Sequence, residues 1–339
     1  MRLLVTGGCG FIGTNFLYLI RQRHPDWTLV NLDKLTYAGN LANLRALEAE
    51  AGDRYAFVHG DIGDRELVSK LLSDRAIDAV VNFAAESHVD RSIDDPSPFV
   101  TTNVLGAQNI LDCARRAGTG RVVHVSTDEV YGTLGPTGQF TEDTPLQPNS
   151  PYSASKAGAD LLARAYHETY GQDVVVTRCS NNYGPYQFPE KLIPLMFCKA
   201  TAGQPLPVYG DGQNVRDWIF VDDHCLGVEL ALTKGRAGAV YNFGGAAEMP
   251  NIEVVKLLLK LTGRDESLIT YVKDRPGHDR RYAMNFELSA RELGFAPSVT
   301  FAQGLERTVN WYKQNGAWLE EVQSGAYLKF MERWYGGRS

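Results

Sequence analysis

The chain has 339 residues, with 34 Lys and Arg against 40 Asp and Glu, a net charge of -6 and 44% hydrophobic residues. That apolar content supports a large core in one large or two modest domains. The acidic balance offers no electrostatic footprint for nucleic acid or an anionic membrane, and neither is expected as a partner.

Five scattered cysteines, Cys9, Cys113, Cys179, Cys198 and Cys225, make no C-x-x-C pair and no metal-ligand spacing, so they read as reduced thiols and no metal is expected. Met1 to Thr6 is a short strand running into glycines, without the basic start and apolar core of a signal peptide. No apolar run approaches the roughly 20 residues of a membrane span. A cytoplasmic protein is expected.

Leu3-Leu4-Val5 is a continuous apolar run, as in a strand covered on both faces. Thr6-Gly7-Gly8-Cys9-Gly10-Phe11-Ile12-Gly13 follows, then a helical run from Thr14 to Arg23. A glycine turn between strand and helix exposes N–H groups at the positive helix end, which suits a pyrophosphate, although the spacing of Gly7, Gly10 and Gly13 equally suits a structural turn. Thr28 to Asp33 is a second strand, and its terminal Asp33 is placed to accept ribose hydroxyls and repel a 2′-phosphate, which favours NAD over NADP.

Tyr55 to His59 is a third strand, after which Gly60-Asp61-Ile62 either flanks an adenine or forms a plain loop. A helical run from Glu66 to Ser73 leads to a fourth strand, Ala79 to Phe83, and to Ala84-Ala85-Glu86-Ser87-His88, whose small residues let backbone lie flat on a dinucleotide. The helical run Phe99 to Arg116 and the strand Arg121 to Val125 lead to Ser126-Thr127-Asp128-Glu129-Val130-Tyr131-Gly132. A helix opens near Tyr152-Ser153-Ala154-Ser155-Lys156 and runs to about Tyr170, and Val174 to Val176 is the next strand. Strands and helices alternating with short links predict a Rossmann doubly wound parallel sheet.

From Asn181 the pattern changes. Turn-rich aromatic stretches, short strand signals between Pro205 and Val221, a basic loop from Lys273 to Tyr282, and helical runs at Phe286 to Leu293 and Phe301 to Asn315 predict a smaller mixed α/β C-terminal substrate lobe. The expected division is a Rossmann domain over 1–180 and the lobe over 181–339, with some chain crossing between them.

Chemistry concentrates at the strand end before Gly132. Tyr152 and Lys156 share one helix face. Lowering a phenol's pKa by three units to make it a base at neutral pH requires about 4 kcal/mol. An ammonium about 4 Å away, at an effective dielectric near 20, supplies about that much. Thr127 can hydrogen-bond the reacting hydroxyl, and Asp128 and Glu129 either add acid–base groups or cap a helix start. Adjacent strand residues point to opposite faces, so both acids reach one site only if the chain has left the strand there.

These motifs, G-x-x-G-x-x-G with Asp33, a Ser/Thr strand end and Y-x-x-x-K, resemble the extended short-chain dehydrogenase/reductase family. Within it, Thr127 to Gly132, Ala84 to Ser92, Arg178 to Pro185 and Asp274 to Asp279 are similar to the dTDP-glucose 4,6-dehydratase branch. The resemblance implies NAD held by Gly7, Gly10, Phe11, Ile12, Gly13, Asp33, Lys34, Leu35, Thr36, Asp61, Ile62, Phe83, Ala84, Ala85, Ser87, Thr102, Tyr152, Lys156 and Asn182. It implies Glu129 as base for a C5 proton, Asp128 as acid for a C6 hydroxyl, and Thr127, Tyr152 and Lys156 at C4.

A nucleotide-sugar would then meet Ser87, His88, Thr127, Asn181, Lys191, Leu192, Pro207, Val208, Tyr209, Arg216, Asn251, Asp274, Arg275, His278 and Arg281, the arginines facing its diphosphate. The implied activity is dehydration of dTDP-glucose to the 4-keto-6-deoxy sugar, with UDP-glucose as an alternative substrate and 4-epimerisation or decarboxylation as alternative reactions. The resemblance also implies a homodimer formed through the helices near Phe99–Arg116 and Ala157–Tyr170.

Overall fold

Leu3, Leu4 and Val5 are each inaccessible to solvent, so the first strand, β1 (Arg2–Thr6), is covered on both faces. In the computed structural model, which describes residues 1–323, it is followed by β2 (Thr28–Asp33), β3 (Tyr55–His59), β4 (Ala79–Asn82), β5 (Arg121–Thr127) and β6 (Val174–Cys179). The later strands are β7 (Asn181–Tyr183), β8 (Leu206–Tyr209), β9 (Val215–Phe220), β10 (Val240–Phe243), β11 (Glu248–Pro250) and β12 (Ile269–Val272).

Seven of these form one sheet in the order β10-β6-β5-β4-β1-β2-β3, and every pair in it is parallel. The order reverses between β1 and β4, and the carboxyl ends of the strands beside such a reversal open a crevice. The doubly wound sheet read from the alternating pattern is the one observed. Two apolar layers cover it: Phe16, Leu17, Val228 and Phe243 belong to one, Val68, Leu71, Ile110 and Tyr166 to the other.

The helix expected over Phe99 to Arg116 starts as a short turn, Ser97–Phe99, widens into a π-helical stretch, Val100–Gly106, and becomes α-helical over Ala107–Ala117. The wide turn brings Asn103 inward, where its amide spans the Glu86 N–H (2.8 Å) and carbonyl (2.9 Å) and donates to Ser155 Oγ (2.9 Å). Such bulges are frequent beside functional sites.

Smaller sheets β11-β9-β7 and β12-β8 build the second part of the molecule. They pack with the helices Leu192–Thr201, Asn251–Thr262 and Phe301–Gln314 around Tyr183, Phe197, Leu258 and Tyr312. β10 leaves this part to lie along β6 in the large sheet. No helix among the described residues is long and apolar enough to cross a membrane.

Candidate active site

The strand β5 ends at Thr127, and Asp128–Tyr131 forms a 3-10 turn. Leaving the strand there removes the alternation that would send neighbouring side chains to opposite faces. Asp128 and Glu129 therefore line one cavity together. Thr127 caps the turn, its Oγ accepting from the Glu129 N–H at 3.3 Å and its hydroxyl lying 3.2 Å from Asp128 Oδ1. Gly132 closes the turn at φ +85°, where an added Cβ would lie 2.3 Å from the Gln147 carbonyl oxygen.

The helix Pro151–Tyr170 begins with proline at its first position and a reciprocal capping box between Ser150 and Ser153. That start fixes Tyr152 and, one turn later, Lys156 against the end of β5. The Lys156 ammonium donates to the Val125 carbonyl at 2.7 Å, and Ser155 Oγ donates to the Tyr152 carbonyl at 2.7 Å. Thr127, Asp128, Glu129, Tyr152 and Lys156 all border a single cavity of about 420 Å³.

One end of that cavity is the glycine turn. A Cβ on Gly7 (φ +71°) would lie 2.7 Å from the Ala84 nitrogen, and one on Gly13 would lie 2.3 Å from the Gly7 oxygen. Only bare backbone leaves this cradle open at the start of the helix Phe11–Arg23, where N–H groups favour an anion. Gly7, Gly10, Phe11, Ile12, Gly13, Asp33, Lys34, Thr36, Asp61, Ile62, Phe83, Ala84, Ala85, Ser87, Thr102 and Asn182 line this region with Tyr152 and Lys156.

Asp33 takes the Cys9 and Leu35 N–H groups, each at 2.8 Å, which leaves carboxylate lone pairs for two hydroxyls. Burial raises its pKa, against those two hydrogen bonds. These residues fit NAD, and a 2′-phosphate would meet a carboxylate. Leu35 departs from expectation: its backbone (φ 53°) braces Asp33, while its side chain packs on the apolar layer instead of lining the cavity.

At the other end lie His88, Asn181, Lys191, Leu192, Pro207, Val208, Tyr209, Arg216, Asn251, Arg275 and His278. Arg216 is buried, stacked 4.3 Å above the Tyr282 ring, with donors to the Val215 and Asp279 carbonyls. Asn181 Oδ1, Asn251 Oδ1 and Arg275 Nε are buried without a protein partner, which marks polar atoms left for a ligand. Asp274 and Arg281 do not line the cavity. Arg281 turns away to Glu248 at 2.7 Å and to the carbonyls of Gly135 and Gly138, and Asp274 faces solvent beside His278. A run of basic residues does not say which way each member of the loop turns.

Sequence reasoning missed Asp90 and Glu190, which also line the cavity. Asp90 accepts from the Tyr209 hydroxyl at 3.0 Å, and Glu190 from the Tyr37 hydroxyl at 2.9 Å. Asp90 and Glu190 find these partners across long sequence separations, which no local pattern announces. His88 caps the helix Val89–Asp94 through Nδ1, and burial lowers its pKa, so it stays neutral.

The electrostatics divide the two acids. Burial, the Glu129 charge and Asp217 push the Asp128 pKa well above the usual carboxylate range. Burial also raises Glu129, but Arg275, Lys191 and Arg216 oppose it. Tyr152 goes up, through burial and the Glu129 charge, not down as the Tyr–Lys pairing alone predicts. The Lys156 ammonium is committed to the Val125 carbonyl, and burial lowers its own pKa. An acid whose pKa is pushed far up, a second acid raised against three opposing cations, and a phenol that needs a nearby positive charge therefore share one cavity.

The family model described as GDP-mannose 4,6 dehydratase matches residues 4–308. A dTDP-glucose 4,6-dehydratase of Xanthomonas campestris pv. campestris (strain B100) is 55% identical over 96% of each chain. The solved structure of the Streptomyces venezuelae dTDP-glucose 4,6-dehydratase DesIV, with NAD and dTDP bound, superposes with a TM-score of 0.92 at 55% identity, covering 95% of this chain and 100% of that one. A UDP-glucose 4-epimerase of Thermotoga maritima shares the architecture at a TM-score of 0.86 but only 27% identity, over 93% of this chain and 99% of that one.

Proposed function

This chain belongs to the GDP-mannose 4,6 dehydratase family, and from that premise we propose that it converts dTDP-glucose to dTDP-4-keto-6-deoxyglucose, using NAD. The observation that carries the reading is the pairing of Asp128 with Glu129 in the same cavity as Tyr152 and Lys156. A dehydrogenase or 4-epimerase has work for a phenol and a lysine, but water leaves a sugar only with a second base and an acid.

NAD, when bound, would supply a hydride acceptor for C4 and a hydride donor for C6. Tyr152 takes the O4 proton with the Thr127 hydroxyl orienting O4, and the positive charge of a bound oxidised nicotinamide would offset the burial and the Glu129 charge that raise the phenol's pKa. The new C4 ketone acidifies the C5 proton, which Glu129 removes. Asp128, held in its acid form by burial and by the Glu129 charge, protonates the departing C6 hydroxyl. Glu129 then returns a proton to C5, and the proton that Tyr152 took from O4 makes good, through solvent, the one that Asp128 gave up, so the protein ends as it began and one water is released.

Gly7, Gly10 and Gly13 with Asp33 hold the dinucleotide, while Arg216 and Arg275 meet the diphosphate of the sugar nucleotide. On this reading residues 1–180 carry cofactor and catalysis, and the part beyond them mainly binds the nucleotide-sugar, with β10 returning to the large sheet. Val100, Leu105, Leu161 and Tyr170 are exposed apolar side chains on the π-helical stretch and on the helix of Tyr152, the surface by which two copies would pair. A cytoplasmic enzyme fits its free cysteines.

The test is incubation of purified protein, with no cofactor added, with dTDP-glucose and separately with UDP-glucose. Alkali-induced absorbance of a 4-keto product from dTDP-glucose is expected. A 4-epimer instead, or preference for UDP-glucose, would overturn the assignment.

A further inference from the structure

Behind the cavity, and not part of its wall, lies a buried ion pair. Arg178 leaves β6 and its Nε donates to Asp160 Oδ2 at 2.8 Å, with both side chains almost wholly removed from solvent. A second guanidinium nitrogen, Nη1, donates to the Tyr131 hydroxyl at 2.8 Å, and that hydroxyl donates onward to Asn242 Oδ1 at 2.8 Å. The three partners stand on different elements. Asp160 is four residues past Lys156 on the helix Pro151–Tyr170, so it lies one turn from the ammonium on the same face. Tyr131 is the last residue of the 3-10 turn that bears Asp128 and Glu129. Asn242 lies on β10.

A buried pair of this kind contributes little net stability, because desolvating both charges offsets their attraction; what it offers is a unique arrangement of the elements that carry it. A guanidinium is planar with fixed donors, so binding Asp160 along one edge and Tyr131 through another sets the angle between them. We propose that Arg178 is a positioning residue that ties the helix of Tyr152 and Lys156 to the turn of Asp128 and Glu129, holding the acid pair in register with the group that oxidises C4. The inference rests on the dehydratase reading above.

If so, loosening this tie misplaces the acids more than it disturbs oxidation, since Lys156 keeps its own bond to Val125. The holoenzyme is tested with Tyr131→Phe and Arg178→Lys, reading kcat, KM and the fraction of bound nicotinamide that stands reduced during turnover of dTDP-glucose, by its near-ultraviolet absorbance. Tyr131→Phe keeps the ring, which stacks on Phe140 at 4.9 Å, and so folds even where changes at Arg178 do not. Both variants are expected to lose about tenfold in kcat with KM within about twofold, and to accumulate several times the wild-type fraction of reduced nicotinamide.

A fall in kcat without that accumulation, or no fall at all, would overturn the proposal, since a merely structural defect slows oxidation and elimination alike. Wild-type enzyme that forms no 4-keto product would overturn the dehydratase reading itself. That result appears before any substitution is made.

Discussion

The carboxyl of Asp128 sits beside that of Glu129 with the Thr127 hydroxyl 3.2 Å from its Oδ1, and burial together with the Glu129 charge pushes its pKa well above the usual carboxylate range. Burial raises both acids, but Arg275, Lys191 and Arg216 oppose the shift at Glu129, while at Asp128 the Glu129 and Asp217 charges add to it.

Replacing Glu129 by Gln keeps the side chain's shape and removes the base. The 4-keto-6-deoxy product is expected to fall by about 100-fold or more, the range for loss of a positioned base. Cofactor released on denaturation should match wild type. Unchanged turnover would remove Glu129 from the mechanism.

Asp128→Asn separates two effects of the raised pKa. Oxidation at C4 should survive while loss of water slows, and the fall of wild-type kcat as Asp128 loses its proton at high pH should vanish from the variant's profile. Wild-type stability also falls as pH rises. A carboxyl protonated in the fold and ionised when unfolded loses stability as pH rises from the unfolded value toward the folded one, by up to about 1.4 kcal/mol per pH unit. Asn at 128 does not titrate, so its gain in melting temperature over wild type should be larger at pH 8 than at pH 4. A constant gap between the two would contradict the assigned shift.

Asp33→Ala removes the acceptor for the Cys9 and Leu35 N–H groups, and with it the carboxylate expected at the ribose. Loss of about 1–3 kcal/mol in stability follows from the stranded donors. Purified variant should retain a small fraction of the wild-type NAD after gel filtration. Full retention would mean that the carboxylate braces the loop only.

Gly7→Ala is expected to cost about 1–3 kcal/mol, because the new Cβ lies 2.7 Å from the Ala84 nitrogen at a positive φ. Crowding of the cradle should also lower NAD content. A melting temperature and cofactor content equal to wild type would show that the turn opens freely.

Leu161→Glu places a charge on the exposed apolar face of the helix that bears Tyr152. Light scattering should report a dimer for wild type and a monomer for the variant. A wild-type monomer, or an unaffected dimer, would put the pairing surface elsewhere.

Much of the large sheet is legible in the sequence, because a strand covered on both faces must be apolar without interruption, as Leu3-Leu4-Val5 and Val174-Val175-Val176 are. The glycine turn and Asp33 are legible for a similar reason: their chemistry is local. Arg281 shows the limit, since its direction is set by Glu248 and by carbonyls more than 140 residues away in the chain. Glu190 and Asp90 escape notice because their partners, Tyr37 and Tyr209, come from distant segments. The π-helical stretch around Asn103 lies in an otherwise helical pattern, and periodicity alone does not announce the wider turn.

β10 pairs with β6 over Val240 to Phe243, some 60 residues after β6 is made. Until it arrives, a nascent chain holds β6 as an open edge able to pair with another copy. Grafting the first half of this chain onto the second half of a distant relative therefore needs two cuts, one on either side of β10, for the hybrid to inherit a sheet with its own border.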